Sequence, residues 1–273
     1  MGLSHETLLG QTTVYADEYN PAVLQPIPRQ LGRDAVGFDG TQTLPFLGVD
    51  LWTHYEVSWL STSGKPCVAI AELLVPADSP AIIESKSLKL YFNGLNFKVF
   101  NDELALIAQV EQDLSVVAGA PVRMSLLSID QPWQAMPLPG RLLDHLNIST
   151  DIYDIDASLL QTNEQVVAQY TWYSHLLRSN CPVTNQPDWG SVMIRYSGRE
   201  IVPESLLAYL ISYRRHNDFH EQCVERIFMD LIRHCGCQQL TVYARYTRRG
   251  GLDINPFRSN FEQFDQVWRT LRQ

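Results

Sequence analysis

Apolar and polar residues alternate along residues 51–60, from Leu51 and Trp52 to Trp59 and Leu60. A period of two among β-forming residues predicts a half-buried strand. A turn at 61–65, around Gly64, leads to a second predicted strand at 67–76. After the turn at 77–80, residues 82–92 read as the entry into a helix. The next helix is predicted to be capped at Asn101, with Asp102 and Glu103 in its first turn. Leu104, Ile107, Val110 and Leu114 recur along it at helical spacing, and Gly119 marks its end. Residues 121–129 then return as a strand.

The second half repeats this grammar. A strand at 166–177 runs into an irregular loop, and a strand at 191–196 follows. Gly198 turns the chain, and Ile201-Val202-Pro203-Glu204-Ser205 opens a helix as Ile82-Ile83-Glu84-Ser85 does in the first half. A helix from Asp218 carries Val224, Ile227, Phe228 and Leu231 toward Gly236, and 240–247 reads as a last long strand. Strand, strand, helix, helix, strand therefore occurs twice, and duplicated modules are the economical explanation. The predicted division is an arm at 1–48, a module at 49–130, a linker at 131–164 with one or two edge strands, and a module at 165–273. Prolines 21, 26, 28 and 45 break up the arm. It still carries Tyr15, Tyr19, Leu24, Ile27, Leu31 and Phe38, too many large apolar groups for a disordered tail. An arm wrapped on a folded body is expected.

Composition narrows the function. At 45% hydrophobic and 19% charged residues, the 273-residue chain is that of a globular protein with ample core. Its formal charge of -9 argues against binding a nucleic-acid backbone, since no basic excess exists to release counterions. No cationic start followed by an apolar segment and no membrane-length apolar run is visible. Five scattered cysteines then read as reduced thiols in a cytoplasmic protein. Cys235-Gly236-Cys237, with His234 and His220, lacks the paired spacing of structural zinc sites, so no metal is expected.

Candidate chemistry centres on residues 179–190, which hold Cys181 and Asp188 in one segment where prolines forbid a helix. A thiolate is a strong nucleophile, and a nearby carboxyl group can supply protons to what it attacks. The same residues also suit a buried small hydrophobe and a turn cap. Glu84-Ser85-Lys86-Ser87 at a helix start offers N–H groups, hydroxyls and a cation to a phosphate, or merely a cap with a solvated lysine. Asp218 and Glu221 have the spacing of a capping box. A charged His220 would oppose the helix dipole, so a neutral His220 facing a ligand makes more sense. Residues 245–256 run Arg248-Arg249 into Gly250-Gly251, which suits either an anion or a plain hairpin end. Neither a Rossmann fingerprint, a P-loop nor a G-x-S-x-G elbow is present.

Longer stretches resemble a family. Ile83-Glu84-Ser85-Lys86-Ser87-Leu88-Lys89-Leu90-Tyr91 is similar to the signature helix of the two-module NADPH-dependent 7-cyano-7-deazaguanine reductases, the nitrile reductases of queuosine biosynthesis. Residues 174–181, 186–191, 219–226 and 242–256 also match, so the resemblance spans about 51–260 and is thin in the linker. It implies an α+β tunnelling fold of two modules, each an antiparallel sheet with two helices on one face, and a homodimer. It implies Cys181 as the thioimide-forming nucleophile, Asp188 as the proton donor, and His220 as a shield or proton-transfer aid. Substrate contacts fall on Ile83, Glu84, Ser85, His220 and Glu221, and NADPH contacts on Ser85, Lys86, Arg249 and Gly250. A cysteine-dependent nitrile or amide hydrolase and a non-redox purine- or pterin-binding protein of the same fold are the alternatives.

Overall fold

The structure, a computed structural model, describes residues 18–38, 40 and 42–273. Strands β2 (Leu47–Leu60) and β3 (Pro66–Pro76) form the first predicted hairpin. Ala69, Ala71, Leu73 and Val75 of β3 all turn to one buried face, as period-two patterning requires. On β2 that face receives Trp52, Val57 and Trp59, and the change from even to odd numbers is absorbed by a bulge between His54 and Val57. Helices α2 (Ser85–Gly94) and α3 (Glu103–Ala118) cover the face, and β5 (Arg123–Leu127) returns antiparallel beside β3.

In the second half β7 (Thr162–Asn180) and β8 (Pro187–Ile201) make a long hairpin. Helices α4 (Pro203–Ile211) and α5 (His220–Cys235) pack on it, and β9 (Gln239–Tyr246) pairs with β8. Val224, Ile227, Phe228 and Leu231 are all buried against the helix-facing side of this sheet. Strand β10 (Leu252–Ser259) then pairs with both β9 and β2. Through it the two halves become one sheet of eight strands in the order β5-β3-β2-β10-β9-β8-β7-β6. The edge strand β6 (Arg141–Leu142) is the sole parallel neighbour in that sheet.

The arm adds β1 (Pro26–Pro28), which pairs with β4 (Ala81–Ile83), and α1 (Gln30–Ala35), which meets α5. Leu24, Ile27 and Phe38 are buried as expected, whereas Leu31 is half exposed. Tyr15 lies outside the described residues. A Cβ on Gly32 would stand 2.1 Å from the Gln222 side chain, so only glycine admits this contact of α1 with α5.

Four local expectations are corrected. The cap of α3 is Asp102, whose side chain accepts from Ala105 N–H at 2.8 Å, because Asp102 rather than Asn101 has the extended backbone of an N-cap. The buried stripe of α3 is Leu106, Val110, Leu114 and Ala118, while Leu104 points to solvent. Residues 81–83 are a strand before α2 begins, since the arm supplies β1 as a partner that local sequence cannot show. The strand at 239–246 is not the last: Gly250 (φ 56°) and Gly251 (φ 70°) form a tight left-handed turn that sends the chain back as β10.

A candidate thiol-centred active site

Cys181 sits at the tip of the β7–β8 hairpin. Its N–H donates to Gln186 O (2.9 Å) and its carbonyl accepts from Asn185 N–H (3.0 Å), so the six-residue loop closes on itself. Asn185 (φ 55°) takes the left-handed conformation that asparagine tolerates, and its side-chain oxygen accepts from Asn217 Nδ2 at 2.9 Å. The thiol is buried. Register pairs Ser179 with Asp188, which puts the carboxylate at the start of β8 beside the hairpin tip. Cys181 and Asp188 line one cleft of about 560 Å³ of atom-free space, its solvent-filled mouth included.

Asp188 lies between two basic groups. Arg249 Nη2 stands 2.9 Å from its Oδ1, and His220 Nε2 stands 3.5 Å from its Oδ2. The histidine is held on two sides. Its ring stacks on Tyr246 at 3.7 Å with an interplanar angle of 6°, and Nδ1 lies 3.1 Å from the Ile254 carbonyl. A carbonyl only accepts, so the proton belongs on Nδ1, leaving Nε2 directed at Asp188. One carboxylate oxygen of Asp188 is thus paired with a guanidinium, and the other faces an imidazole nitrogen.

Glu221, the next residue on α5, is 2% exposed, and its Oε1 meets no hydrogen-bond partner among the described residues. Burial, reinforced by the Asp50 carboxylate, pushes its pKa up to about 7. The capping box with Asp218 does not form. Asp218 accepts from the N–H of Phe219 at 3.0 Å, and Glu221 lines the cleft instead.

Ile83, Ser85, His220, Glu221 and Arg249 thus share the cleft with Cys181 and Asp188. Glu84 does not line it: its two carboxylate oxygens accept from Lys86 N–H (2.9 Å) and Ser87 N–H (2.6 Å), making it the N-cap of α2. Lys86 is half-buried away from the cleft, and Gly250 borders an adjoining one. Sequence reasoning overlooked Trp52, Thr247 and Lys89, which also line the site. Lys89 was within reach, since it stands four residues after Ser85 and so on the same side of α2. Cys235, the last residue of α5, and Cys237, just beyond its Gly236 cap, are buried, and burial pushes both thiols up to about 12. Among the described residues no three metal-binding side chains gather, and no helix is long and apolar enough to cross a membrane.

Fold and site together define an antiparallel α+β protein built around a thiol-bearing cleft with a paired carboxylate and histidine. Comparison with known proteins gives the particular kind. The model described as "Nitrile reductase, 7-cyano-7-deazaguanine-reductase N-term" matches residues 15–126, and that described as "QueF-like protein" matches 187–264. An NADPH-dependent 7-cyano-7-deazaguanine reductase from Hydrogenovibrio crunogenus is 52% identical over 269 residues, covering 98% of this chain and 97% of the relative. One of the same description from Teredinibacter turnerae is 53% identical over 266 residues, covering 97% and 95%. The chain belongs to the 7-cyano-7-deazaguanine reductase family.

Proposed function

We propose that this protein reduces the nitrile of 7-cyano-7-deazaguanine to an aminomethyl group with NADPH, through a covalent bond to Cys181, in queuosine biosynthesis. What carries the reading is one cleft that holds Cys181, Asp188, His220 and Glu221 together in a chain whose full-length relatives bear that description.

A nitrile carbon is a modest electrophile, and the Cys181 sulfur adds to it as the thiolate. Asp188, placed between Arg249 and His220, relays the thiol proton to the nitrile nitrogen. The carbon–nitrogen triple bond becomes a double bond as the sulfur–carbon bond forms, and no outside proton is consumed. His220, with Nδ1 held on Ile254 O, aims Nε2 at Asp188 and replaces water beside it. The unpartnered Oε1 of Glu221 accepts from the guanine-like N–H edge, and a buried acceptor of this kind discriminates against analogues lacking the donor. Glu84 acts on the substrate by fixing the start of α2, which presents Ile83 and Ser85 to the cleft. The cleft's cations, Arg249 and Lys89, together with Ser85, fit an anionic dinucleotide without a Rossmann loop. NADPH, when bound, supplies a hydride for each of the two reductions.

The modular reading extends this. Residues 49–130 and 165–273 form two tunnelling-fold modules, joined by 131–164, preceded by the arm 1–48, and two copies make a cytoplasmic homodimer. It is supported by a hairpin, two helices and a returning antiparallel strand in each half, with both helix pairs on one side of the sheet.

Intact-protein mass spectrometry after adding the nitrile alone tests the chemistry. Wild type gains the mass of the nitrile, and Cys181→Ala gains nothing and oxidises no NADPH. An adduct on the variant refutes the assignment.

A further inference from the structure

His220 is held by two contacts, and both depend on a gap between β9 and β10. These strands pair only from Phe257–Tyr243 to Ser259–Thr241, while β10 stays paired with β2 along its whole length. The next rung would fall on Pro256, which has no N–H to give. Carried on at the same register, the ladder would set Tyr246 opposite Ile254. With the ladder broken, the Ile254 carbonyl is left to His220 Nδ1 at 3.1 Å, and the Tyr246 ring stacks on the imidazole at 3.7 Å.

Two amide side chains replace the missing rung. Tyr246 N–H donates to Asn255 Oδ1 at 3.0 Å, and Tyr246 O accepts from Gln273 Nε2 at 3.0 Å. Asn255 is fully buried. Its Nδ2 donates to Leu51 O at 3.2 Å and to the Asp253 carboxylate, which also accepts from the Tyr55 hydroxyl at 2.6 Å. Both partners of Nδ2 accept, so the amide has one orientation and Oδ1 faces Tyr246. Gln273 is set in turn by Thr270, whose N–H and hydroxyl donate to its Oε1 at 2.9 and 2.6 Å. Neither Asn255 nor Gln273 lines the thiol cleft.

Resting on the role given to His220 above, we infer that Asn255 is a positioning residue for that histidine, with Gln273 supporting the same strand from the other side. Asn255 joins both supports of the imidazole: it follows Ile254 in the chain, and it holds Tyr246 through space. A main-chain rung would close β10 on β9 and take the carbonyl that His220 Nδ1 uses. The side-chain bridge keeps the strands apart by the width of an amide, so the carbonyl stays free and the tyrosine ring stays fixed. Asn255 is neutral and lies behind the cleft wall, so it acts on the reduction only through where His220 Nε2 points.

The test uses Asn255→Leu, close in size, and Gln273→Ala, each alone and combined with His220→Ala. NADPH oxidation with the nitrile gives kcat and KM, and nitrogen–proton correlation NMR reads the imidazoles of the resting protein. Asn255→Leu should lower kcat by about 10-fold, the scale of one lost buried hydrogen bond, with KM for NADPH within about twofold of wild type. The His220 Nδ1–H signal should broaden or vanish, while that of His175, which lies 2.7 Å from Ser191 Oγ, stays and reports a folded chain. Gln273→Ala should lower kcat by about 3-fold. In the His220→Ala background each should lower kcat by less than about twofold, because the group they position is gone. A purely structural role lowers kcat by the same factor with or without the histidine. Equal losses in both backgrounds, or an unchanged His220 signal in Asn255→Leu, overturn the inference. If Asn255→Leu does not fold, Gln273→Ala decides by the same cycle. A wild type that oxidises no NADPH with the nitrile fails the proposed function instead. There, and wherever His220→Ala is too slow to time, the His220 spectrum decides the positioning.

Discussion

Glu221 and Glu225 lie one turn apart on α5 and are equally buried, at 2% and 3% exposure, yet they belong to opposite regions. Glu225 is the hub of a buried charge network. Arg33 of the arm donates to both of its oxygens at 2.9 Å, and Arg258 of β10 donates to Oε1 at 3.0 and 2.9 Å. Arg258 also stands 2.8 Å from Asp50 of β2, which in turn pairs with Arg29 at 2.6 Å. Burial alone would raise the pKa of Glu225, but Arg258 and Arg33 outweigh it and hold the carboxyl below its usual range. No arginine forms an ion pair with Glu221 among the described residues, and burial, only partly offset by His220 and Arg29, moves its pKa up to about 7. The network pins the arm and both halves of the sheet together. The cleft leaves a carboxyl under-partnered, which is the condition for binding a ligand's donors.

The largest break in that contrast is Glu225→Gln. It leaves the buried Arg33 without a carboxylate partner among the described residues and Arg258 with Asp50 alone, and should cost about 3–5 kcal/mol, read as a lower urea midpoint. A midpoint within error of wild type means that water already reaches the network.

Glu221→Gln should do the opposite, and with a pH signature. The folded pKa of Glu221 exceeds its ordinary value of 4.5, so the wild-type penalty is absent below pH 4.5 and grows until pH passes about 7. The variant should match wild type at low pH and exceed it by on the order of 3 kcal/mol above neutrality. Glu225 runs the other way: its stabilisation is present above pH 4.5 and is lost as pH falls through its depressed folded pKa. A stability difference for Glu221→Gln that does not vary with pH would show that the carboxyl has a partner in solution.

The smallest effect sharpens the point that burial sets these magnitudes. Arg123 lies 3.6 Å from Glu111 with its side chain 73% exposed. Removing it as Arg123→Ala should shift stability by under about 0.5 kcal/mol, since water screens the pair. A loss of several kcal/mol would place that pair in a buried setting.

Much of the site was legible because its residues are close in sequence. Cys181 and Asp188 belong to one hairpin, and His220 and Glu221 are consecutive on a helix, so local patterning placed each pair. That Glu84 caps α2 was not legible, because the cap depends on the chain turning extended at 81–84, where the arm pairs with it. Lys89 and Trp52 were missed because a lysine and a tryptophan look like a solvated residue and a core residue unless the opposing wall is known. Trp52 meets the site only because β2 and β10 are neighbours across some 200 positions, as the register of Trp52 with Ile254 shows.

The sequence by itself determined the two long hairpins and the helices, because periodicity and turn residues act over a few positions. It also determined that a thiol and a carboxylate would lie near one another, since a short proline-broken loop allows them little else. Only the tertiary structure decided which charges are satisfied. Arg33 meets Glu225 across 192 positions, and Arg249 of the β9–β10 turn meets Asp188, while Oε1 of Glu221 meets no hydrogen-bond partner among the described residues. The electrostatic environment of a buried group is the sum over walls brought from distant parts of the chain, and no local pattern encodes that sum.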